Sequence, residues 1–459
     1  MTLFNLEHDQ FTHVGMKRGN NQDSIGTLLA GSDQQFSLQG HLFLVADGMG
    51  GHLGGEKASE MASKIIPLSY SKLIGHNPAG MKDALEKAFI EANEAIHRKG
   101  HENRDFYNMG TTCSSLVVKD SGAWVGHVGD SRVYLVRRSK IHQLTFDHSL
   151  VWQAAKERGV EPETVHDVMS NRILRCLGPE RQVDIDVHGP HDLLAGDAFV
   201  LCSDGLSGFV TDNEMAMAAA NLPASLATRF LVNLANLRGG GDNISTVVIK
   251  VPGEVDRKKS VRMSEPTIKI RTGFDIQAIL QKLYNWIFSE AWILLPTSLL
   301  AAGAAVAISN YLSISSIFLN ENRGLLLVLS ALILGLAPAW GIGKYISAYY
   351  REKVKRKSGF DGVPISRTRE WNIGDQVIEQ MVSQSEELMV AGQSILDEDV
   401  RVSITDALAK AKISRTAGNL KEAFLAGAAA FTGLAPVIEG MVRFQQIPPC
   451  KMIWFRSEQ

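Results

Sequence analysis

The chain has 459 residues, and at roughly 150 residues per domain it is long enough for about three structural units. Its 47 lysines and arginines nearly balance 49 aspartates and glutamates, which gives a formal net charge of −2. This balance excludes both the basic field that collects nucleic acid and the charge excess of a disordered chain. The four cysteines, Cys113, Cys176, Cys202 and Cys450, lie far apart with no CxxC pair, which argues against a zinc site and against a disulfide framework.

Short β-type runs alternate with helical runs over residues 1–252. The runs HLFLVAD, TTCSSLVVK, AWVGHVGDSRVYLVRR, DAFVLCSD and NISTVVIKV are typical of strands. Helical periodicity occurs near Gly55 to Ser71 and near Met81 to Arg98. The pattern predicts an α+β or layered α/β body for this part of the chain.

Residues 253–290 are predicted to be a linker that carries an amphipathic helix. The first part of the linker is polar, contains Lys and Arg, and is bounded or interrupted by Pro252 and Pro266. Apolar residues then recur at helical spacing from Ile276 to Phe288 and form one apolar stripe. This helix either lies on a bilayer surface or packs against the N-terminal body or a partner helix.

Two long apolar segments follow within residues 291–343. No charged residue occurs in the 30 positions from Ala291 to Asn320 or in the 20 positions from Gly324 to Gly343. Each segment is long enough for a helix to cross a hydrocarbon core of about 30 Å. We predict a transmembrane hairpin with helices at about Ala291 to Ile308 and Gly324 to Gly343. The alternative is a buried helical hairpin of a soluble domain.

Charge asymmetry predicts the orientation of this hairpin. Seven basic residues lie from Arg257 to Lys282 and six lie in KYISAYYREKVKRK after the second span, whereas the loop between the spans has only Arg323. By the positive-inside rule, both ends of the chain face the cytosol. The N-terminal sequence MTLFNLEHDQ agrees, because it lacks the basic and apolar regions of a cleavable signal peptide. We therefore expect a multi-pass protein of the cytoplasmic (inner) membrane.

Residues 344–459 are predicted to be a basic juxtamembrane segment followed by a mainly helical cytosolic tail. Helical periodicity runs from Val377 to Met389 and again from Ala407 to Ala411. The apolar run from Ala423 to Val437 has only 15 residues and contains glycine and proline. We predict that this run is a buried helix and not a third span.

Four aspartates in the N-terminal body each follow or end an apolar run: Asp47 in LVADGMGG, Asp130 in VGHVGDSR, Asp204 in VLCSDGLSG and Asp242 in GGGDNIS. A single Asp-Gly pair most often marks a tight turn. Four carboxylates at strand ends, with no thiolate or imidazole in the set, instead favour Mg²⁺ or Mn²⁺ over zinc or copper. The working hypothesis is therefore a hydrolytic centre with two metal ions.

The segment RGNNQDS adds a feature that indicates phosphate chemistry. Arg18 supplies a planar cation suited to bidentate contact with a phosphoryl group, and Asp23 follows it by five residues. Taken alone, Arg18 would be a solvated surface arginine. In the company of the four carboxylates, it indicates a site for a phosphate ester.

Eight motifs in order carry a resemblance to a known family: RGNNQD, VADGMGGHLGGE, MGTTCSSLVV, HVGDSRVYL, LTFDHSLV, NRILRCLG, LCSDGLSGFV and GGGDNIST. The chain resembles the bacterial type of protein phosphatase 2C, the metal-dependent serine/threonine phosphatases, from about Gly15 to Val251. The resemblance implies an α+β fold, a four-layer αββα sandwich of two antiparallel sheets flanked by helices. The predicted spans and the tail fall outside it.

The resemblance also implies metal ligands. Asp47 would bridge two Mn²⁺ or Mg²⁺ ions, and the carbonyl of Gly48 would bind one of them. Asp204 and Asp242 would complete the shell of the other ion. Asp130, with Asp204, resembles the ligand pair of a third and weaker site, so the implied cofactor is two ions and at most three.

The same resemblance implies roles for two residues beside the metals. Asp23 would orient a metal-bound water, and Arg18 would bind the phosphoryl oxygens, with no covalent phosphoenzyme. The segment from His148 to Arg175 would be the flap beside the third site.

The chain departs from the family pattern at two places. Some members have a histidine directly after the Asp-Gly pair, where this chain has Met49. The leaving group would then be protonated by a metal-bound water or by His52. The alternative for His52 is that it is an ordinary loop histidine without a catalytic role. Bacterial relatives often have a His-Pro pair in the flap, where this chain has HDVMSNR. Substrate contacts there, and a ligand role for Asn171, are therefore open.

We expect a membrane-anchored, metal-dependent phosphatase that acts on phosphoserine and phosphothreonine in proteins. Its expected partners are phosphorylated proteins, a cognate serine/threonine kinase and the lipid bilayer, without nucleic acid. One alternative is a catalytically weak phosphatase fold that serves as a scaffold or phospho-sensor at the membrane. Another is a channel or transporter with a regulatory phosphatase domain, although the spans contain no charge that would form an ion pathway.

Overall fold

The computed structural model describes residues 5–50, 54–76, 80–169, 172–253 and 365–443. The predicted linker helix, both predicted spans, His52, Asn171 and Cys450 lie outside the described residues. Within the ranges that are described, no helix is both long and apolar enough to cross a membrane. Residues 5–253 and 365–443 belong to one compact unit.

The strands form two antiparallel sheets. In spatial order, the first sheet contains β1 (Glu7–His13), β11 (Ile244–Lys250), β10 (Ala198–Cys202), β7 (Arg132–Arg137), β8 (Lys140–Gln143) and β12 (Arg367–Glu370). The second sheet contains β2 (Asp23–Leu28), β3 (His41–Met49), β5 (Cys113–Lys119), β6 (Gly122–Val128) and β9 (Asp186–His191), with β4 (Gly110–Thr111) paired to β3.

The sheets are buried on both faces, which explains the nearly continuous apolar runs of the central strands. In β3, Phe43 and Val45 point into a core between the two sheets, where they meet residues such as Leu135 of the first sheet. The alternate residues Leu42 and Leu44 face a second core on the outer side of the sheet. Because successive side chains of a strand point to opposite faces, both sets must be apolar when both faces are covered.

Helices cover the outer faces of both sheets. The helices of the N-terminal body are α1 (Asp33–Gln39), α2 (Gly54–His76), α3 (Met81–Glu102), α4 (Leu150–Arg158), α5 (Asp204–Ser207), α6 (Asp212–Asn221) and α7 (Ala224–Leu237). The first two long helices, α2 and α3, pack on the second sheet, and α6 and α7 pack on the first. The predicted α+β architecture, with two sheets between layers of helices, is therefore confirmed for this part of the chain.

The predicted run AWVGHVGDSRVYLVRR corresponds to two strands, β6 and β7, one in each sheet. The chain turns between them at Gly129, which has φ +107°. A Cβ atom there would come within 2.5 Å of the side chain of Thr112, so the turn requires glycine. This turn sets the position of the next residue, Asp130.

The tail forms helices that continue the fold, as its periodicity predicts. They are α8 (Asp375–Ala391), α9 (Glu398–Thr416), α10 (Leu420–Gly433) and α11 (Ala435–Arg443). Phe230 of α7 lies edge-on to Phe424 and Phe431 of α10, with ring centroids 5.8 and 5.6 Å away. The run from Ala423 to Val437, predicted as one buried helix, is mostly buried and helical, but it is divided between α10 and α11 at Leu434.

The strand β12 was not predicted. Its sequence, Arg-Thr-Arg-Glu, has no apolar residue, yet it pairs with the edge strand β8 over four residues. An edge strand with one exposed face gains its order from main-chain hydrogen bonds and needs no apolar pattern.

Candidate active site

The predicted site residues lie where strands of the two sheets end. Asp23 of β2 pairs directly with Asp47 of β3 in the second sheet. Asp204 is the first residue of α5, directly after β10, and Asp242 precedes β11, the neighbour of β10 in the first sheet. Asp130 follows β6 in the turn at Gly129. The structure therefore brings together five carboxyl groups that are as much as 219 positions apart (242 − 23).

Asp47 lies at the centre of this group. Its carboxyl group lies close to the carboxyl group of Asp204, which follows a strand of the other sheet. Burial, followed by the negative charges of Asp23, Asp204 and Asp130, raises the pKa of Asp47 well above its usual range. Two carboxyl groups in contact share a proton when no cation is present to balance them.

Asp23 is almost fully enclosed. Its Oδ2 accepts a hydrogen bond of 2.8 Å from Ser203 Oγ, which lies one residue before Asp204. Burial is the main cause that raises the pKa of Asp23 to about 7, and the charges of Asp204 and Asp242 add to it. Ser203 and Ser245 oppose this rise through hydrogen bonds to the carboxylate.

Asp130 and Asp204 line the open side of the site. Burial, the charge of Asp204 and then that of Asp147 raise the pKa of Asp130 to about 8, against the opposing effect of Arg132. Burial of its carboxyl group also raises the pKa of Asp204, although the residue as a whole is exposed.

Two glycines let the backbone approach the carboxylates closely. A Cβ atom on Gly48 would lie 2.1 Å from the carbonyl oxygen of Gly55, at the start of α2. A Cβ atom on Gly205 would lie 1.9 Å from the carbonyl oxygen of Asn243. Any side chain at either position would push apart the segments that carry Asp47, Asp204 and Asp242.

Arg18 reaches the carboxylate group through Asp242. Its Nη2 donates to Asp242 Oδ2 at 2.8 Å, and its side chain is 52% exposed. The structure therefore brings this arginine to one of the carboxylates that are predicted to bind metal. Arg18 and the residues beside it, Lys17, Gly19 and Asn20, are exposed.

Asn243 is a site residue that sequence analysis missed. Its Nδ2 donates to the carbonyl oxygens of Val14 and Asn20, both at 2.9 Å, and its Oδ1 accepts from the amide of Gln22 at 2.8 Å. The asparagine therefore fastens the RGNNQD loop to the segment that carries Asp242. The sequence shows that Asn243 follows Asp242 in GGGDNIS, but only the folded structure shows which distant carbonyl groups it binds.

The residues described fit a divalent cation by their chemistry. All donors are carboxylate oxygens beside a glycine carbonyl, the ligand type that Mg²⁺ and Mn²⁺ prefer. The atoms Asp23 Oδ1 and Asp130 Oδ1 are buried and have no hydrogen-bond partner among the described residues, and an uncompensated buried oxygen is costly. As the side chains stand, no three acidic, histidine or cysteine groups in the described ranges converge tightly enough to chelate one ion by themselves. Two metal ions that shared Asp47 as a ligand, and that also bound a backbone carbonyl and waters, would each need fewer side chains in their coordination shells.

Comparison with known proteins identifies the fold. A family model described as protein phosphatase 2C matches residues 17–235. Protein phosphatase PhpP of Streptococcus pneumoniae is 32% identical over 251 residues, which cover 54% of this chain and 99% of PhpP. The chain belongs to the protein phosphatase 2C family.

Other relatives have a similar sequence identity to this chain and a similar coverage of it. The serine/threonine phosphatase stp of Listeria monocytogenes is 32% identical over 247 residues, 53% of this chain and 95% of that protein. The crystal structure of the catalytic domain of the phosphatase PstP with two manganese ions is 31% identical, covers 54% of this chain and 99% of that domain, and has a TM-score of 0.45.

Membership defines the activity at the level of the family. The chain is a phosphoprotein phosphatase of the serine/threonine type, and the metals of this family are Mn²⁺ and Mg²⁺. The family model ends at residue 235, before β12 and α8–α11.

Proposed function

We propose that this phosphatase hydrolyses phosphoserine and phosphothreonine esters of proteins in the cleft around Asp47, with two divalent ions, and that it does so at the membrane. One observation carries the catalytic part of the proposal. Asp47 contacts Asp204 across the two sheets while Asp23 and Asp130 lie beside it, and burial together with the neighbouring negative charges raises the pKa of Asp47, Asp23 and Asp130.

The carboxylates would bind the two metal ions in different combinations. Asp47 would be shared by both ions, with the carbonyl of Gly48 on one side and Asp204 and Asp242 on the other. Bound there, Mn²⁺ or Mg²⁺ would supply a nucleophilic hydroxide at neutral pH and neutralise charge on the phosphoryl group. Asp130 with Asp204 would hold a further, weaker ion.

Asp23 and Arg18 would act on water and on phosphate. Oδ2 of Asp23 accepts a hydrogen bond from Ser203, while Oδ1 has no protein partner in the described ranges. This arrangement suits a carboxylate that orients a water molecule through Oδ1. Arg18 has five N–H donors, and its ion pair with Asp242 engages Nη2. The remaining N–H donors of this exposed side chain are available to phosphoryl oxygens.

The pairing of β8 with β12 supports the membrane part of the proposal. These strands belong to one sheet, so residues 253 and 365 must lie in the same compartment. A chain that crosses a membrane between them has to cross an even number of times. The two predicted spans at 291–308 and 324–343 would meet this condition, and the basic residues that flank them would keep the catalytic body and the tail in the cytosol.

The catalytic proposal is tested with the purified full-length chain and a phosphothreonine peptide. We expect release of inorganic phosphate with Mn²⁺ or Mg²⁺ and loss of at least about three orders of magnitude in turnover for Asp47→Asn, with an unchanged circular dichroism spectrum. Binding of the peptide without any turnover in the wild-type chain would instead support the phospho-sensor alternative.

The membrane proposal is tested by topology mapping in cells. Reporter fusions near Ser260 and at the C-terminus should both report cytosol, and a cysteine introduced at Ser315 should react with a membrane-impermeant thiol reagent added outside. Opposite locations of the two fusions would contradict the hairpin. A Ser315 position that stays unlabelled in intact cells and a chain that remains in the soluble fraction would contradict membrane anchoring.

A further inference from the structure

The strand β12 places two arginines of the C-terminal region beside the flap. Arg367 pairs with Gln143 of β8 and Arg369 pairs with Ile141. Because side chains alternate along a strand, Arg367 and Arg369 point to the same side of the sheet. On that side lie the flap and the first residue of α6, Asp212.

Arg367 makes the closest contacts. It is only 8% exposed, and it forms ion pairs with Glu163 of the flap and, at 2.9 Å, with Asp212 Oδ2. Its Cζ also lies 5.6 Å from the ring centre of Trp152 on α4, within the range of a cation–π contact. A single side chain of the tail therefore joins two parts of the flap to the catalytic body.

Arg369 strengthens this connection at the solvent-exposed edge. It lies 3.2 Å from Glu163, 3.6 Å from Glu161 and 3.4 Å from Asp212. Exposed pairs of this kind contribute little one by one, but a network around a buried arginine restrains geometry more strongly.

The flap in turn borders the site at Asp130. The guanidinium of Arg132, two residues after Asp130, lies 5.4 Å from the Trp152 ring and forms a bidentate pair with Asp147. At the base of the flap, the amide of His148 donates to the carbonyl of Gly129, and His148 Nδ1 accepts from the amide of Gly129. A path of direct contacts therefore runs from Arg367 through Trp152 and Arg132 to the Asp130 turn.

The flap has little apolar packing of its own. Among its described residues, Ala154, Ala155 and Val165 form a small buried cluster with Val151 and Val168 packed against them, and Trp152 is buried outside this cluster. A cluster of this size cannot hold a segment rigid, so the order of the flap depends on the polar and aromatic contacts at its edges.

We propose that Arg367 is a positioning residue of this phosphatase, through which the C-terminal region fixes the flap next to the active site and sets the affinity for protein substrates. The proposal rests on the proposed function for its kinetic consequence. Its structural consequence, an ordered flap, is measured independently of turnover. An aryl phosphate is too small to need the flap, whereas a phosphopeptide extends from the cleft over it.

Two variants test the contact from opposite sides in the full-length chain. Arg367→Gln removes the buried cation, and Glu163→Lys reverses a flap charge that is 57% exposed and faces both arginines. The second variant keeps the test valid should the first fail to fold, because loss of a buried ion-pair member can cost several kcal/mol of stability. The matched controls are Arg415→Gln and Glu386→Lys, whose ion pairs join only helices of the tail.

Hydrogen exchange followed by mass spectrometry is the first measurement. We expect amides of residues 150–169 to exchange at least about fivefold faster in Arg367→Gln and Glu163→Lys, and at the wild-type rate in both controls. Wild-type exchange of these amides in Glu163→Lys would overturn the proposal, and so would an equal increase in the controls.

Steady-state kinetics with Mn²⁺ is the second measurement. We expect KM for a phosphothreonine peptide to rise about three- to tenfold in the two test variants, while kcat and KM for an aryl phosphate stay within about twofold of wild type. A flap that exchanges faster while the peptide KM does not change would overturn the positioning role. A wild-type chain without turnover would contradict the proposed function, and the exchange measurement would still decide whether Arg367 orders the flap.

Discussion

The Nη2 atom of Arg18 lies 2.8 Å from Oδ2 of Asp242, so the residue predicted to bind phosphate and a residue predicted to bind metal are ion-paired across 224 positions of the chain. The pair is open to solvent, with side chains 52% and 33% exposed. An exposed pair of this kind is weak, and Arg18 can therefore exchange Asp242 for another anion at low cost. Asn243, next to Asp242, keeps the two loops together during that exchange.

Replacement of Arg18 by alanine should mainly weaken substrate binding. We expect KM for a phosphopeptide to rise about tenfold or more with a smaller change in kcat, because a charge-assisted contact to phosphate is lost. Measurement of both constants at saturating Mn²⁺ checks this. A large fall in kcat with unchanged KM would show that Arg18 acts mainly in the transition state.

Removal of the divalent metal should abolish activity reversibly. EDTA should stop hydrolysis of an aryl phosphate by the full-length chain, and excess Mn²⁺ or Mg²⁺ should restore it, because the proposed ligands are all carboxylate or carbonyl oxygens. Asp204→Asn should need much more metal for half-maximal rate than wild type. Undiminished hydrolysis in EDTA would contradict the metal mechanism.

Replacement of Asn243 by alanine should affect activity through geometry. Three hydrogen bonds that join the Arg18 loop to the Asp242 segment would be lost. We expect stability to fall by about 1–3 kcal/mol in urea denaturation and KM to rise at the same time. Ser385→Ala is a useful control, because it removes a buried hydroxyl of α8 that donates to the carbonyl of Met381, and it leaves these three bonds in place. Wild-type stability and KM in Asn243→Ala would contradict this role.

Replacement of Asp186 by asparagine should lower stability in a pH-dependent way. The hydrogen bond from His148 is the largest cause that lowers the pKa of Asp186 to about 2, and Arg175 contributes to it. A carboxyl group whose pKa is lower in the folded state than in the unfolded state stabilises the fold above its unfolded pKa of about 4. This stabilisation is lost as the pH falls towards 2.

The expected size of this effect is modest because the side chain of Asp186 is 41% exposed. After allowance for solvent screening, we expect Asp186→Asn to cost about 1 kcal/mol at pH 7. Urea denaturation of both proteins between pH 7 and pH 2.5 should show the difference shrink as the pH falls. A difference that grows in acid would have the wrong sign for this explanation.

Replacement of Phe424 by alanine should destabilise the catalytic body although the residue lies in the tail. The ring is fully buried against Phe230 of α7, so its loss should cost about 3–5 kcal/mol. Because the tail and the body form one compact unit, the loss should lower the midpoint of a single unfolding transition. Val390→Ala, at a position 69% exposed, should change stability by less than about 0.5 kcal/mol. Two separate transitions would contradict a shared core.

The amino-acid sequence determined the class of the fold and indicated which residues form the candidate site. Apolar runs buried on both faces predicted β3, β5, β10 and β11, because a strand between two covered faces needs apolar residues at every position. The aspartates at the ends of these runs indicated a metal site only as a set, because a single aspartate beside a glycine is typical of a tight turn. Helical periodicity likewise predicted α8 and the buried run within α10 and α11.

Only the tertiary structure decided how these parts meet. The ion pair of Arg18 with Asp242 and the hydrogen bonds of Asn243 join loops that local patterns cannot relate, because a hydrogen bond between distant segments leaves no periodic signal in either. The same holds for β12, whose four polar residues gain their strand conformation from the free edge of β8. The position of Arg367 between Glu163, Asp212 and Trp152 depends on that pairing, and so does the link between the tail and the flap. Residue types decided what each group can do, while the pairing of distant strands decided which groups act together.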